Sequence, residues 1–246
     1  MGALALDQLS WPEVKAELDG GRDTVVIAFG ATEQHGPHLP LATDALIGDH
    51  LAQLVADRLD AFVAPTVRIG CSSHHLEFPG TLSLSDDTFH QVVADIVRSL
   101  ARGGFRRVVL LPTHGGNFAP LQAAIEKLGA VDGIALSAMT DLGALFKIAQ
   151  LGQDEYGVSL GDGGLHAGEW ETSMMIAIHP ELVHLDRGEP GYTGDMEQAV
   201  GAIFGDGVHS VAPNGVIGDP AQASAEHGAR YWDEVAAIAS DAVEEP

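Results

Sequence analysis

The chain has 246 residues, 46% of them hydrophobic, and sets 12 Lys and Arg against 35 Asp and Glu for a formal net charge of −23. That much apolar material fits one large domain or two small ones with a substantial core and excludes a disordered chain. The charge repels phosphates and so excludes a nucleic-acid or anionic-membrane binder.

One cysteine, Cys71, allows neither an intrachain disulfide nor a cysteine-rich zinc site, so a reducing compartment is expected. The N-terminus lacks the basic start and apolar stretch of a secretory signal, and no window approaches the roughly 20 apolar residues of a membrane span. The expectation is a cytoplasmic protein with no membrane partner. Arg outnumbers Lys nine to three, which with the acidic excess suggests adaptation to salt.

In chain order, Thr24-Val-Val-Ile-Ala-Phe-Gly30 is a short β-branched apolar run between polar turns and predicts a buried strand. Over 44–59, Ile47, Leu51, Leu54 and Val55 share one helical face. Residues 62–69 predict a second strand. Ser85-Asp86-Asp87 then opens a helix with Phe89, Val93, Ile96, Val97 and Leu100 on one side, and Gly103-Gly104 closes it. A third strand over 107–112 leads into the turn Thr113-His-Gly-Gly-Asn117, followed by a helix over 119–128 and a strand over 134–139. Segments 152–164 and 186–220 predict irregular, Gly-rich loops around a helix over 169–178, and a terminal helix is expected over 221–243. No repeat, low-complexity tract or linker divides the chain, so residues 1–246 read as a single domain. Strands alternating with crossover helices give an α/β fold, and ligands of such folds bind at the carboxyl ends of the strands.

Those ends carry the chemistry. Directly after the first strand, Thr32-Glu-Gln-His-Gly-Pro-His-Leu-Pro-Leu-Ala-Thr-Asp44 gathers one Glu, two His and one Asp. Imidazole suits zinc, iron and nickel; carboxylates also suit magnesium and manganese, and one carboxylate can bridge two ions. Glu33 and His35 project to the same side of an extended chain, and Pro37 and Pro40 stiffen the return path to Asp44. Alone, the motif fits a polar surface loop with Asp44 as a helix cap equally well. The third strand, however, delivers His114 to the same edge, with Gly115 and Gly116 permitting close backbone approach and Asn117 beyond them.

A third cluster, His166-Ala-Gly-Glu-Trp-Glu-Thr-Ser173, opens an apolar helix. Its two glutamates are about 200° apart on that helix, so at most one turns towards a site. Glu169 reads as a helix N-terminal charge favoured by the macrodipole, and Trp170, Met174 and Met175 read as core. The segment Cys71-Ser-Ser-His-His-Leu-Glu-Phe-Pro-Gly80 could line a pocket with His74 or His75 touching substrate, Cys71 being a buried inert thiol. His50, His90, His179, His184, His209 and His227 show no partner pattern and read as structural or surface residues.

Together, Glu33-Gln-His-Gly-Pro-His-Leu-Pro with Asp44, Phe78-Pro-Gly-Thr-Leu-Ser83, His114-Gly-Gly-Asn117 and His166-Ala-Gly-x-x-Glu-Thr-Ser173 resemble the creatininase family of metal-dependent amidohydrolases. The match runs in order over about 24–180, and Gly215-Val-Ile-Gly-Asp-Pro220 is similar to the family's ending. The resemblance implies a three-layer α/β/α sandwich with a mostly parallel sheet and a binuclear centre of two divalent ions, zinc, manganese, iron or magnesium. It implies hydrolysis of a C–N bond in a small-molecule cyclic amide, linear amide or formamide, and a homo-oligomer, frequently a hexamer. It further implies that Glu33, His35, Asp44 and His114 are metal ligands with Asp44 as the bridge. Glu171 is then the remaining carboxylate ligand and His166 the proton-transferring histidine.

Asn117, or the amides around Gly115, and His75 are expected to contact the substrate. Creatininases proper have a His-Tyr-Glu-Asn segment whose glutamate is a ligand; Gly115 and Gly116 stand there in this chain, so creatinine itself is not the expected substrate. Branches with His-Gly-Gly-Asn act on formamido-pyrimidine nucleotides, modified peptides or oxidised inositols. A hydrolase of a ring ketone and a non-catalytic, metal-stabilised assembly protein are the alternatives.

Overall fold

A computed structural model of the chain describes residues 2–141 and 143–244. In order the elements are β1 (Leu4–Ala5), α1 (Trp11–Asp19), β2 (Thr24–Phe29), α2 (Thr43–Leu59), β3 (Phe62–Val63), α3 (Asp86–Gly103), β4 (Arg107–Pro112), α4 (Phe118–Leu128) and β5 (Ala135–Ala138). There follow α5 (Gly143–Tyr156), α6 (Leu160–Gly163), α7 (Glu169–Ile178), α8 (Met196–Asp206), α9 (Val208–Val211) and α10 (Ala225–Glu244). Among the described residues the five strands form one parallel sheet in the order β1-β3-β2-β4-β5, with β2 at the centre. In register Thr24 lies opposite Arg107 and Phe29 opposite Pro112, so β2 and β4 end level with each other.

The apolar run of β2 is continuous because both of its faces are covered. Val26 and Ala28, with Val109 and Leu111 of β4, pack against α2, α7 and α10, through Leu51, Val55, Met175, Trp232 and Val235 among others. Val25, Ile27 and Phe29, with Val108 and Leu110, pack on the opposite side against α3 and α4 through Phe89, Val93, Val97 and Leu121. Alternation of side chains along each strand thus divides the core into two halves, the three-layer arrangement that the resemblance implied. A smaller apolar cluster, Ala199, Ile203, Val208, Ala212 and Ile217, holds α8 and α9 over the carboxyl end of the sheet.

Four expectations need correction. The strand over 62–69 pairs continuously only at Phe62 and Val63. Pro65 offers no N–H to a ladder, and the chain returns to β2 at the isolated bridge between Val67 and Phe29. Segment 186–220 is not irregular throughout: Asp195 caps α8 by accepting from the amides of Glu197 and Gln198. Segment 152–164 likewise holds the end of α5 and all of α6, and the terminal helix begins at Ala225 rather than 221. The N-terminal β1 and α1 carried no strong apolar period; α1 is fixed instead by a Ser10–Glu13 capping box. Among the described residues no helix is long and apolar enough to cross a membrane.

Candidate metal centre

Three segments meet at the carboxyl edge of the sheet. The loop after β2 carries Glu33, Gln34 and His35 and returns through Asp44 in the first turn of α2. The end of β4 carries His114, and the Thr113 hydroxyl donates to the Asp44 carbonyl oxygen at 2.8 Å, tying these two segments together. The third segment, 164–171, is clamped against residues 215–218: the amides of Leu165 and His166 donate to Ile217 O, and the Ile217 amide donates to His166 O. Positive φ at Ala167 turns the chain into α7, and the Ala167 amide donates to Glu171 Oε2 at 2.6 Å, aiming the other carboxylate oxygen inward.

The side chains that converge are buried: Glu33 and His35 are fully so, and Asp44, His75, His114, His166 and Glu171 nearly so. Asp44 presents its two oxygens to two different histidines, Oδ1 at 3.3 Å from His35 Nε2 and Oδ2 at 3.2 Å from His114 Nδ1. Glu33 Oε1 lies 3.3 Å from His114 Nδ1, 3.3 Å from His75 Nε2 and 3.8 Å from His166 Nδ1. Glu171 Oε1 completes the His35 side at 3.7 Å from Nε2. Among the described residues three overlapping groups of potential ligand atoms result: Glu33 with His35 and Asp44, His35 with His166 and Glu171, and Glu33 with His75 and His166.

Both oxygens of Glu33 and Oδ2 of Asp44 are buried without a hydrogen-bond partner. Buried carboxylate oxygens left so are costly unless a cation takes their charge. The outer ring nitrogens agree with this. His35 Nδ1 donates to the Glu33 carbonyl oxygen at 3.1 Å, and His114 Nε2 donates to the Cys71 carbonyl oxygen at 3.2 Å. Each ring therefore turns an unprotonated nitrogen to the carboxylates, the arrangement of a metal-binding histidine held by its second nitrogen. Without a cation, protons substitute. Burial opposes charge on His35, yet Asp44 and Glu171 hold its pKa well above the ordinary value. Burial likewise opposes charge on His114, but Glu33 and Asp44 push it up to about 10. The reciprocal effect holds Asp44 well below the carboxylate range and lowers Glu33 from its ordinary value, despite their burial. His166 is held low, by burial first and by the His35 charge second.

The centre forms the floor of a cavity of about 520 Å³. Its walls are apolar, with Leu51, Phe118, Ile148, Trp170, Met174 and Phe204 among them, and no Lys or Arg occurs among its described lining residues. Trp170 and Met174, read from sequence as core, thus also shape the cavity. Gly115 and Gly116 line it as well, and a Cβ at Gly116 would lie 2.4 Å from both Cys71 O and His114 Nε2, so no carboxylate can be carried at that position on this backbone.

Asn117 departs from its expected role. Its Oδ1 accepts from the Cys71 amide at 2.9 Å, and its Nδ2 donates to the carbonyls of Phe29 and Gly30 at 2.9 and 3.0 Å. The amide is consumed in bracing the ends of the strands and does not line the cavity. Glu169 does open α7, and it is also fully buried: it accepts from Ser173 Oγ, His227 Nδ1 and Tyr231 OH at 2.7–2.8 Å, tying α10 to α7. His227, read as lacking a partner, is therefore structural. Cys71 has its thiol pushed up to about 12 by burial and by Asp86, which fits an inert group. Gln34 escaped the sequence reading because alternation in an extended chain turns it away from Glu33 and His35; the Gly36 amide and the distant Gly215 carbonyl hold its side-chain amide against His75 and His166.

The chain belongs to the creatininase family: residues 7–243 match the family model described as creatinine amidohydrolase. It is 33% identical over 223 residues to a mycofactocin precursor peptide peptidase of Mycobacterium ulcerans, covering 86% of this chain and 81% of that one. It is 32% identical over 197 residues to a creatinine amidohydrolase of Pseudomonas putida, covering 73% and 74% of the two chains. A manganese form of creatininase superposes with a TM-score of 0.79 at 27% identity, covering 99% of this chain and 98% of that one. A mutant creatininase of Zn-Zn type superposes with a TM-score of 0.75 at 25% identity, covering 100% and 98%. The protein is thus a hydrolase of this family, which sets aside the non-catalytic reading.

Proposed function

We propose that the protein hydrolyses a C–N amide bond with two divalent cations bridged by Asp44. The observation that carries this reading is the division of Asp44, one oxygen towards His35 and the other towards His114. Glu33, Asp44 and His114 would hold one cation; His35, Asp44 and Glu171 would hold the other. When bound, such a pair supplies Lewis-acid polarisation of the carbonyl and a water of lowered pKa. Zinc and manganese, the metals of the two solved creatininases above, both suit this mixed nitrogen and oxygen donor set.

His166 supplies the proton traffic. Its Nε2 donates to the Gln34 carbonyl oxygen at 2.6 Å, so its Nδ1 faces the centre as an unprotonated nitrogen. From there it can take a proton from the attacking water and pass it to the departing amine. The apolar walls exclude bulk water and, lacking a cation, favour a neutral substrate over a phosphate-bearing one. Similarity to a peptide peptidase supports a peptide or peptide-derived amide, and the loss of a ligand at Gly116 argues against creatinine.

A cytoplasmic setting suits the buried free Cys71, and exposed Trp11 and Phe204 support assembly with further copies of the chain. The test is metal quantitation joined to an amide-hydrolysis screen that reads released amine. About two ions per chain and amine release are expected, both lost in a folded Glu33→Gln variant. Full activity in excess chelator sinks the reading, and turnover without amine release supports a ring-ketone substrate instead.

A further inference from the structure

Four histidines face the centre, and the hydrogen-bond network sets the proton on each. His35, His114 and His166 each spend an N–H on a backbone carbonyl, of Glu33, Cys71 and Gln34 respectively, and turn a lone pair inward. His75 is different. Its Nδ1 lies 2.9 Å from Gln34 Nε2, and its Nε2 lies 3.3 Å from Glu33 Oε1 without the alignment of a hydrogen bond, on the cavity floor.

The orientation of the Gln34 amide is fixed at both ends. The Gly36 amide donates to Gln34 Oε1 at 2.9 Å, and Gln34 Nε2 donates to Gly215 O at 3.1 Å. A flipped amide would set oxygen against oxygen and N–H against N–H. The second Nε2 hydrogen has two neighbours, His75 Nδ1 at 2.9 Å and His166 Nε2 at 3.0 Å. His166 Nε2 is already a donor to Gln34 O and cannot accept, so the hydrogen goes to His75 Nδ1. A neutral His75 then carries its own proton on Nε2. The cradle is shaped for this amide: Gly215 has φ +80, and a Cβ there would lie 1.8 Å from Gln34 Oε1. This assigns a role to the glycine that opens Gly215-Val-Ile-Gly-Asp-Pro220.

We propose that Gln34 is a positioning residue that fixes His75 as an Nε2–H donor, so that His75 is not a metal ligand and instead hydrogen-bonds the substrate oxygen that becomes negative during hydrolysis. The proposal rests on the hydrolytic reading above. A donor so placed contributes about 100–1000-fold to kcat.

The test uses the metal-loaded protein labelled with 15N-histidine. Wild type should show His75 with Nε2 protonated and Nδ1 bare, and the Nε2–H resonance should shift on adding acetate, a carboxylate oxygen probe. Gln34→Glu presents only acceptors to His75, draws the proton to Nδ1, and should lower kcat about 100–1000-fold with KM and metal content held. His75→Gln, which keeps an N–H near the same place, should recover most of the activity that His75→Leu loses. A proton found on Nδ1 in wild type, a metal ion lost from His75→Leu, no response to acetate, or wild-type kcat in Gln34→Glu each overturns the proposal. The nitrogen spectrum of wild type decides even where a variant does not fold. If no amide is hydrolysed at all, the hydrolytic reading fails while the spectrum and the acetate response still judge this one.

Discussion

Removing metal should reverse the pH dependence of stability. In the metal-free fold His114 is pushed up to about 10 by Glu33 and Asp44 despite its burial, and His35 is raised in the same sense. The unfolded chain has both near 6.5. A group raised on folding contributes its full stability below about pH 6.5 and loses it as pH climbs through the folded value. At about 1.4 kcal/mol per pH unit, the displacement of His114 from 6.5 to about 10 sets an upper figure of about 5 kcal/mol. For a chain of this length 1 kcal/mol moves Tm by about 2–4 °C, so metal-free protein should melt lower at pH 10 than at pH 6.5, by at most about 10–20 °C. In the metal-loaded fold the same nitrogens are unprotonated at every pH. The unfolded state then binds more protons below pH 6.5, and stability should rise up to that pH and level off. Differential scanning calorimetry on chelated and reloaded samples from pH 5 to 10 measures both curves. Parallel slopes would refute the assignment of these two rings to the metal centre.

Three further outcomes test the rest of the site. Glu169→Leu removes the acceptor of Ser173 Oγ and of the half-buried His227 and strands the buried Tyr231 OH, so it should cost at least about 1–3 kcal/mol, read as a fall in denaturant midpoint at constant m; an unchanged midpoint contradicts the role given to that carboxylate. Asn117→Ala leaves the buried Cys71 amide and the Gly30 carbonyl without partners, the Phe29 carbonyl keeping the Thr113 amide, and should cost about 2 kcal/mol or more while keeping metal content. Loss of metal without loss of stability would return Asn117 to the reactive centre. The net charge of −23 should make the fold less stable at low ionic strength, and a Tm equal in dilute buffer and molar salt rejects salt adaptation.

Much of the site was legible before any coordinates. Parallel strands with crossovers must end at one edge, so Glu33, His35, Asp44 and His114 could be expected together from strand ends alone. The helical angle between Glu169 and Glu171 separates the two, and the structure turns Glu171 towards His35 while burying Glu169 against α10. The helices of 186–220 were hidden because Gly-rich sequence masks short elements whose formation depends on a cap and on packing over the sheet end.

Local order along the chain was thus set by the sequence itself: apolar periods fix which segments become strands and helices, and these are interactions within a few residues. What lay beyond it were the partners of polar side chains far apart in sequence, such as Gln34 with Gly215, Asn117 with Cys71 and Phe29, and Glu169 with Tyr231. A hydrogen bond depends on distance and direction at the scale of tenths of an ångström, and no periodicity encodes that. Only the packed layers decided which donor met which acceptor.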